Sequence, residues 1–212
     1  MNTFQSNTMS EATANFDPSD PSSPSHYKSN ETALLLLDFH NFIVNMADAS
    51  SAVQVSSSLR QWAIEKQIPV LHCLIDIKEP FSPVFKMAAR SAMVSSLPPQ
   101  MLSETADLNE PSSAFDHHFV RAPGTVSALE SRGLMEFLQA KGIRSLVLCG
   151  LSTSGCTFST ARAATDKRFV VTIIEDGCSD RSTEVHEVLV KHTLPMTGHV
   201  TTSEQFKSNI KY

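Results

Sequence analysis

The chain has 212 residues, with 17 Lys+Arg against 22 Asp+Glu and a formal net charge of −5. That balance offers no basic surface for a phosphate backbone, which excludes nucleic-acid binding as the working expectation. The longest apolar run, Ala33 to Leu37, falls far short of the roughly 20 residues a membrane helix needs, so no membrane partner is expected either.

Residues 1–30 hold 19 Ser, Thr, Asn, Asp or Pro and no Val, Ile or Leu. Such a stretch buries too little apolar surface to offset the cost of ordering it, and it is predicted to be a disordered tail ahead of one domain, 31–212. The pattern changes at Thr32. Ala33–Leu37 is an unbroken apolar run that ends on Asp38, and Pro69–Ile75, Ser145–Gly150 and Val170–Glu175 repeat the theme. Runs of this length suit strands buried on both faces, as in parallel sheets. His118–Arg121 and His199–Thr202 are weaker strand candidates.

Leu59, Trp62 and Ala63, and again Leu134, Phe137 and Leu138, sit at helical spacing, and Val185, Val188, Leu189 and His192 form a further stripe. The segment 78–117, rich in Ser and Pro, reads as an elaborated loop with at most short helices. Alternation of strands and helices predicts a three-layer α/β/α domain on a mainly parallel, Rossmann-like sheet of about six strands.

Ligands of such sheets collect at the carboxyl ends of the strands. There stand Asp38, the turn Gly150–Cys156, and Glu175-Asp176-Gly177. Cys156 falls at the start of a predicted helix over 157–166. Unpaired N–H groups there would lower a thiol's pKa and hold an oxyanion. Asp38 could take the thiol proton and return it to a leaving amine. Arg121, ending the weak strand, could hold Asp38 ionised. The other cysteines form no CxxC pair and no zinc-like spacing. Cys73 and Cys149 read as small hydrophobes, Cys178 as a loop residue, and the set as reduced thiols of a cytoplasmic protein.

At these residues the sequence resembles the isochorismatase-like superfamily of cysteine hydrolases, which includes nicotinamidases and N-carbamoylsarcosine amidase. Leu37-Asp38-Phe39-His40-Asn41-Phe42 matches an opening D-x-Q-N-x-F motif with His40 for Gln. Gly150 to Ala164 matches G-x-x-T-S-G-C-x-x-x-T-x-R-x-A, with Thr160 in place, and Asp176–Asp180 resembles the D-A/G-C-x-D segment. The resemblance implies an Asp–Lys–Cys triad with Asp38 and Cys156 as two members. The lysine does not carry over: four residues before Ser127 stands Pro123, and Arg121 is the nearby cation.

The resemblance also implies a cis Leu151–Ser152 peptide, an oxyanion hole from the Ser152 and Cys156 amides, and assembly into a homo-oligomer. Phe39, Phe42 and Phe81, with Phe85, are candidate walls of a pocket for a small-molecule substrate. The D-x-H metal motif of nicotinamidases is absent from Asp76-Ile-Lys-Glu, so no metal and no cofactor are expected. His72 reads as a core histidine, His117-His118 as part of a loop or a strand entrance, and His192 as structural. The implied activity is hydrolysis of a small amide through a Cys156 thioester. The alternatives are a catalytically weakened binding or regulatory protein, or a vinyl-ether hydrolase of isochorismate type using Asp38.

Overall fold

Thr32–Leu37 (β1) is buried at every position, and its side chains divide by parity. Ala33, Leu35 and Leu37 enter one apolar layer, and Leu34 and Leu36 the other. A strand with two buried faces needs helices on both sides, which is why its sequence runs apolar without alternating. The computed structural model describes residues 16–86 and 88–211. Among the described residues β1 is joined by Val70–Ile75 (β2), Asp116–Arg121 (β3), Ser145–Leu151 (β4), Val170–Ser179 (β5) and His199–Thr201 (β6). All pairings are parallel, in the order β3-β2-β1-β4-β5-β6.

Asn41–Met46 (α1) and Ser50–Glu65 (α2) follow β1, and short helices Ser91–Ser95 (α3), Pro99–Leu102 (α4) and Ala106–Asn109 (α5) lie between β2 and β3. Leu134–Ala140 (α6), Phe158–Asp166 (α7), Thr183–Val188 (α8) and Ser203–Asn209 (α9) complete the set. Leu134, Leu138, Ala161 and Ala164 seal one layer, and Val53, Leu59, Ala63 and Phe206 the other. The strand order reverses between β1 and β4, so a crevice opens beyond their carboxyl ends. Gly150 lets those two strands meet there, because a Cβ at this position would collide with the Leu37 side chain.

The elements depart from sequence expectation in four places. β5 does not stop at Glu175. It passes an irregularity and continues to Ser179, pairing Cys178 with Gly150, so Cys178 is a buried strand residue. Asp176 then caps α9, accepting from Ser203 N and Oγ at 2.8 Å each, and does not serve the crevice. The stripe of Val185, Val188 and His192 lies largely exposed. A π turn over Leu189–Thr193 shifts the phase and buries Val190 and Leu194 instead. Finally, residues 1–15 of the stretch read as a disordered tail lie outside the described residues, but residues 16–31 pack on the domain. Phe16 is buried against Phe206 and His199, an anchor that a search for Val, Ile and Leu overlooks.

Candidate active site

The chain leaves β1 at Asp38, whose φ of 58° is left-handed. Its amide still donates to Cys73 O (3.0 Å), so the ladder with β2 runs one residue further before the backbone turns. A non-glycine residue in this region is uncommon and is held there by its surroundings. The turn aims the Asp38 carboxylate at the end of β3. There Arg121 binds it with both ends of its fork, Nη1 to Oδ1 at 2.8 Å and Nη2 to Oδ2 at 2.6 Å. Arg121 Nε donates to Thr125 O at 3.0 Å. Asp38 and Arg121 are 4% and 1% exposed, so each charge depends on the other. Burial opposes the charge on Arg121, but Asp38 overcomes it and holds the guanidinium above its ordinary pKa.

Cys156 comes from the turn Thr153–Thr157, which kinks at Gly155 directly ahead of α7. The turn is pinned from outside. Ser154 N donates to Asp180 Oδ2 (2.7 Å), and the Thr153 hydroxyl pairs with His186 Nδ1 (2.8 Å). The Leu151–Ser152 peptide entering it is cis, as the resemblance implies. The Cys156 thiol lies 3.7 Å from Thr160 Oγ1. Contrary to the expectation of a depressed pKa, the thiol is pushed up. Burial is the main cause and the neighbouring Asp38 carboxylate adds to it, against opposing pulls from Arg121 and Thr160. A helix end stabilises a thiolate only modestly, whereas full burial of a charge costs far more.

Asp38, Arg121 and Cys156 together line one cavity of about 390 Å³. Its walls are apolar: Phe42, Ile43 and Met46 from α1, Ile75 and Ile77 at the end of β2, Phe81 and Phe85 from the loop after β2, Met93 and Val94 from α3, and Val126 and Leu151. Phe42, Phe81 and Phe85 thus stand where the sequence places them. Phe39 does not. It is fully buried in the opposite layer with Val44 and Leu108, because it follows Asp38 by one residue and faces the other way. Ile43 and Met46 of α1 are additions to the sequence reading, although the two fall three residues apart at helical spacing. Arg181, also unforeseen, lines the cavity from an exposed position.

One further cluster gathers possible metal ligands: His72, Glu104 and His118, with ligand atoms within 4.8 Å of one another. Its geometry suits a proton better than a metal. His72 Nδ1 pairs with Glu104 Oε1 at 2.8 Å and Nε2 with Asp116 Oδ1 at 3.2 Å, so both ring nitrogens are engaged. Burial pushes the His72 pKa down, but the two carboxylates overcome it and hold it above 6.5. The His118 ring stacks on His72 at 4.5 Å and 22°, so the two rings lie side by side instead of converging on a common point. His72 is therefore an ion-paired residue of the core.

The isochorismatase domain profile matches residues 32–205. The chain belongs to the isochorismatase family. YecD of Escherichia coli O157:H7, an uncharacterized isochorismatase family protein, is 40% identical over 68 residues, 32% of this chain and 36% of that one. The match therefore spans about a third of the curated relative's length. A cysteine hydrolase from Pseudomonas syringae pv. phaseolicola 1448A superposes with a TM-score of 0.71 at 15% identity, covering 86% of this chain and 95% of the other. N-carbamoylsarcosine amidase from Thermoplasma acidophilum gives 0.63 at 17% identity, covering 82% and 97%. At such identities the likeness shows the fold, an isochorismatase-family hydrolase fold on a six-stranded parallel sheet. Among the described residues no helix is long and apolar enough to cross a membrane.

Proposed function

We propose that this isochorismatase-family chain hydrolyses the amide of a small molecule with an apolar body. The observation that carries the reading is the meeting of Asp38, Arg121 and Cys156 at the buried end of a single apolar cavity. Cys156 rests as a thiol, so attack needs a base at the moment of reaction. Asp38 takes the sulfur's proton as the C–S bond forms, and the amides of Ser152 and Cys156 receive the oxyanion. Asp38 then returns the proton to the departing nitrogen as the C–N bond breaks. Water, deprotonated by the same carboxylate, opens the thioester and releases the acid, and Asp38 returns that proton to the Cys156 sulfur as the C–S bond breaks. Arg121 stands in for the lysine of the family triad. Its fork fixes both Asp38 oxygens, where a lysine would offer one point charge.

That double hold also supports a second reading, a binding protein whose carboxylate is too tightly engaged to shuttle protons. One experiment separates the two. The purified chain is offered primary amides with aryl or alkyl bodies, and ammonia release is followed beside ligand binding. The hydrolase reading expects turnover that falls by at least about a thousandfold in Cys156→Ala. Amide binding with no ammonia release, equal in wild type and Cys156→Ala, would support the binding protein and overturn the hydrolase.

A further inference from the structure

Thr160 lies on the first turn of α7, fully buried and four residues after Cys156. On a helical path that spacing puts the two side chains on one face. The Thr160 oxygen has two neighbours of different kinds. Ala128 N donates to it at 2.9 Å, and Cys156 Sγ lies 3.7 Å away. A hydroxyl carries one proton and two lone pairs, and an amide N–H only donates. The Ala128 bond therefore occupies a lone pair and leaves the Thr160 proton free for the sulfur. While Cys156 is a thiol, either atom can donate. Once its proton has passed to Asp38 the sulfur has none left, and Thr160 is the donor.

We propose that Thr160 is a thiolate-stabilising residue of this site beside Arg121, donating a hydrogen bond from its hydroxyl to the Cys156 sulfur as the sulfur becomes an anion. No bond to the Thr160 proton breaks. The S–H proton moves to the Asp38 carboxylate, and Thr160 supplies a hydrogen bond to the charge left behind. The same side chain ties the nucleophile to the other half of the site. Ala128 begins the helical turn Ala128–Glu130, three residues beyond Thr125, whose carbonyl holds Arg121. Thr160 thus couples the position of the sulfur to that of the arginine loop.

The inference rests on Cys156 as the reacting thiol, but its test reads thiol ionisation instead of amide turnover, so the two can fail separately. Alkylation of Cys156 by iodoacetamide is followed across pH by mass spectrometry in wild type, Thr160→Val and Thr160→Ser. Loss of a hydrogen bond to a charged group should slow alkylation of Thr160→Val about tenfold below its midpoint and move that midpoint up by about one pH unit. Thr160→Ser, which keeps the hydroxyl, should stay within about twofold of wild type. A purely structural Thr160 gives the opposite sign, since loosening the turn exposes the thiol and speeds alkylation.

An unchanged or faster Thr160→Val overturns the proposal. If that variant does not fold, the wild-type chain still decides. The buried Thr160 hydroxyl proton should shift in its NMR spectrum with the midpoint of Cys156 alkylation, and a signal indifferent to that midpoint overturns the proposal equally. Amide turnover that survives Cys156→Ala would remove the hydrolytic mechanism while leaving these two readouts intact.

Discussion

Arg121 commits three nitrogens, two to Asp38 and one to the Thr125 carbonyl, and does so almost out of contact with water. A buried pair of this kind contributes little over an apolar equivalent, but breaking it strands a charge. Arg121→Met should therefore cost about 3–5 kcal/mol in urea unfolding. Arg121→Lys, which keeps the charge but loses the fork, should cost roughly 1–2 kcal/mol. The Asp38→Asn/Arg121→Met double variant should be less destabilised than the sum of its singles. A loss below about 1 kcal/mol in Arg121→Met would show that Asp38 does not depend on it. Asp38, Arg121 and Cys156 were legible in the sequence because each ends or follows a strand. Their mutual geometry was not. Counting back from Ser127 reaches Pro123, so the spacing alone does not point to Arg121. Gly124, at φ 97°, turns beneath Phe85 where a Cβ would press on the ring at 3.2 Å.

At the scale of the element, the β2–β3 edge carries charge that the hydrophobic pattern conceals. His72 faces Glu104 and Asp116, Arg60 from α2 pairs with Asp116, and His118 stacks alongside. Among the described residues Glu104 Oε2 is buried without a hydrogen-bond partner, and the other oxygen of that carboxylate pairs with His72. Because folding raises the His72 pKa above 6.5, the native state binds its proton more tightly than the unfolded chain does. That contribution is complete below about pH 6.5 and fades as pH rises through the elevated value. His118 is shifted down, by burial first and by the His72 charge next, so it stays neutral beside its neighbour. The stability difference between wild type and His72→Gln should therefore shrink as pH rises above about 6.5 in urea titrations. A difference that is flat or grows would show that His72 is not protonated between its two carboxylates. The apolar runs around His72 made the strand legible, but partners 32 and 44 residues away in sequence left its ion pairs out of reach. The extension of β5 past Glu175 was hidden for a similar reason: its partner is Gly150 on another strand.

Over the whole molecule, the reversal of strand order between β1 and β4 sets Asp38 and Cys156 side by side from two distant stretches of chain. Unbroken apolar strands and amphipathic helices made the three layers readable. The cavity wall was less so, because residues such as Ile43, Met46, Met93 and Val94 acquire a role only when the chain folds back over the crevice. The N-terminal stretch shows the opposite limit, since composition argues against order yet one aromatic anchors it. Phe16 is 7% exposed and makes edge contacts with His199 and Phe206, and His199 Nε2 also pairs with Ser22 O at 2.9 Å. These contacts lie in the layer of Leu34, Leu36 and Phe39, across the sheet from the layer that holds Cys156. Phe16→Ala should thus lower global stability by about 3 kcal/mol, the usual cost of removing a buried ring. The rate of Cys156 alkylation should stay unchanged, because sites this far apart with no shared partner act independently. Urea midpoints and alkylation rates measured on the same preparation check both halves. An unaltered midpoint would mean that residues 16–31 lie on the domain without supporting it. A changed alkylation rate would mean that the two layers are coupled through the sheet.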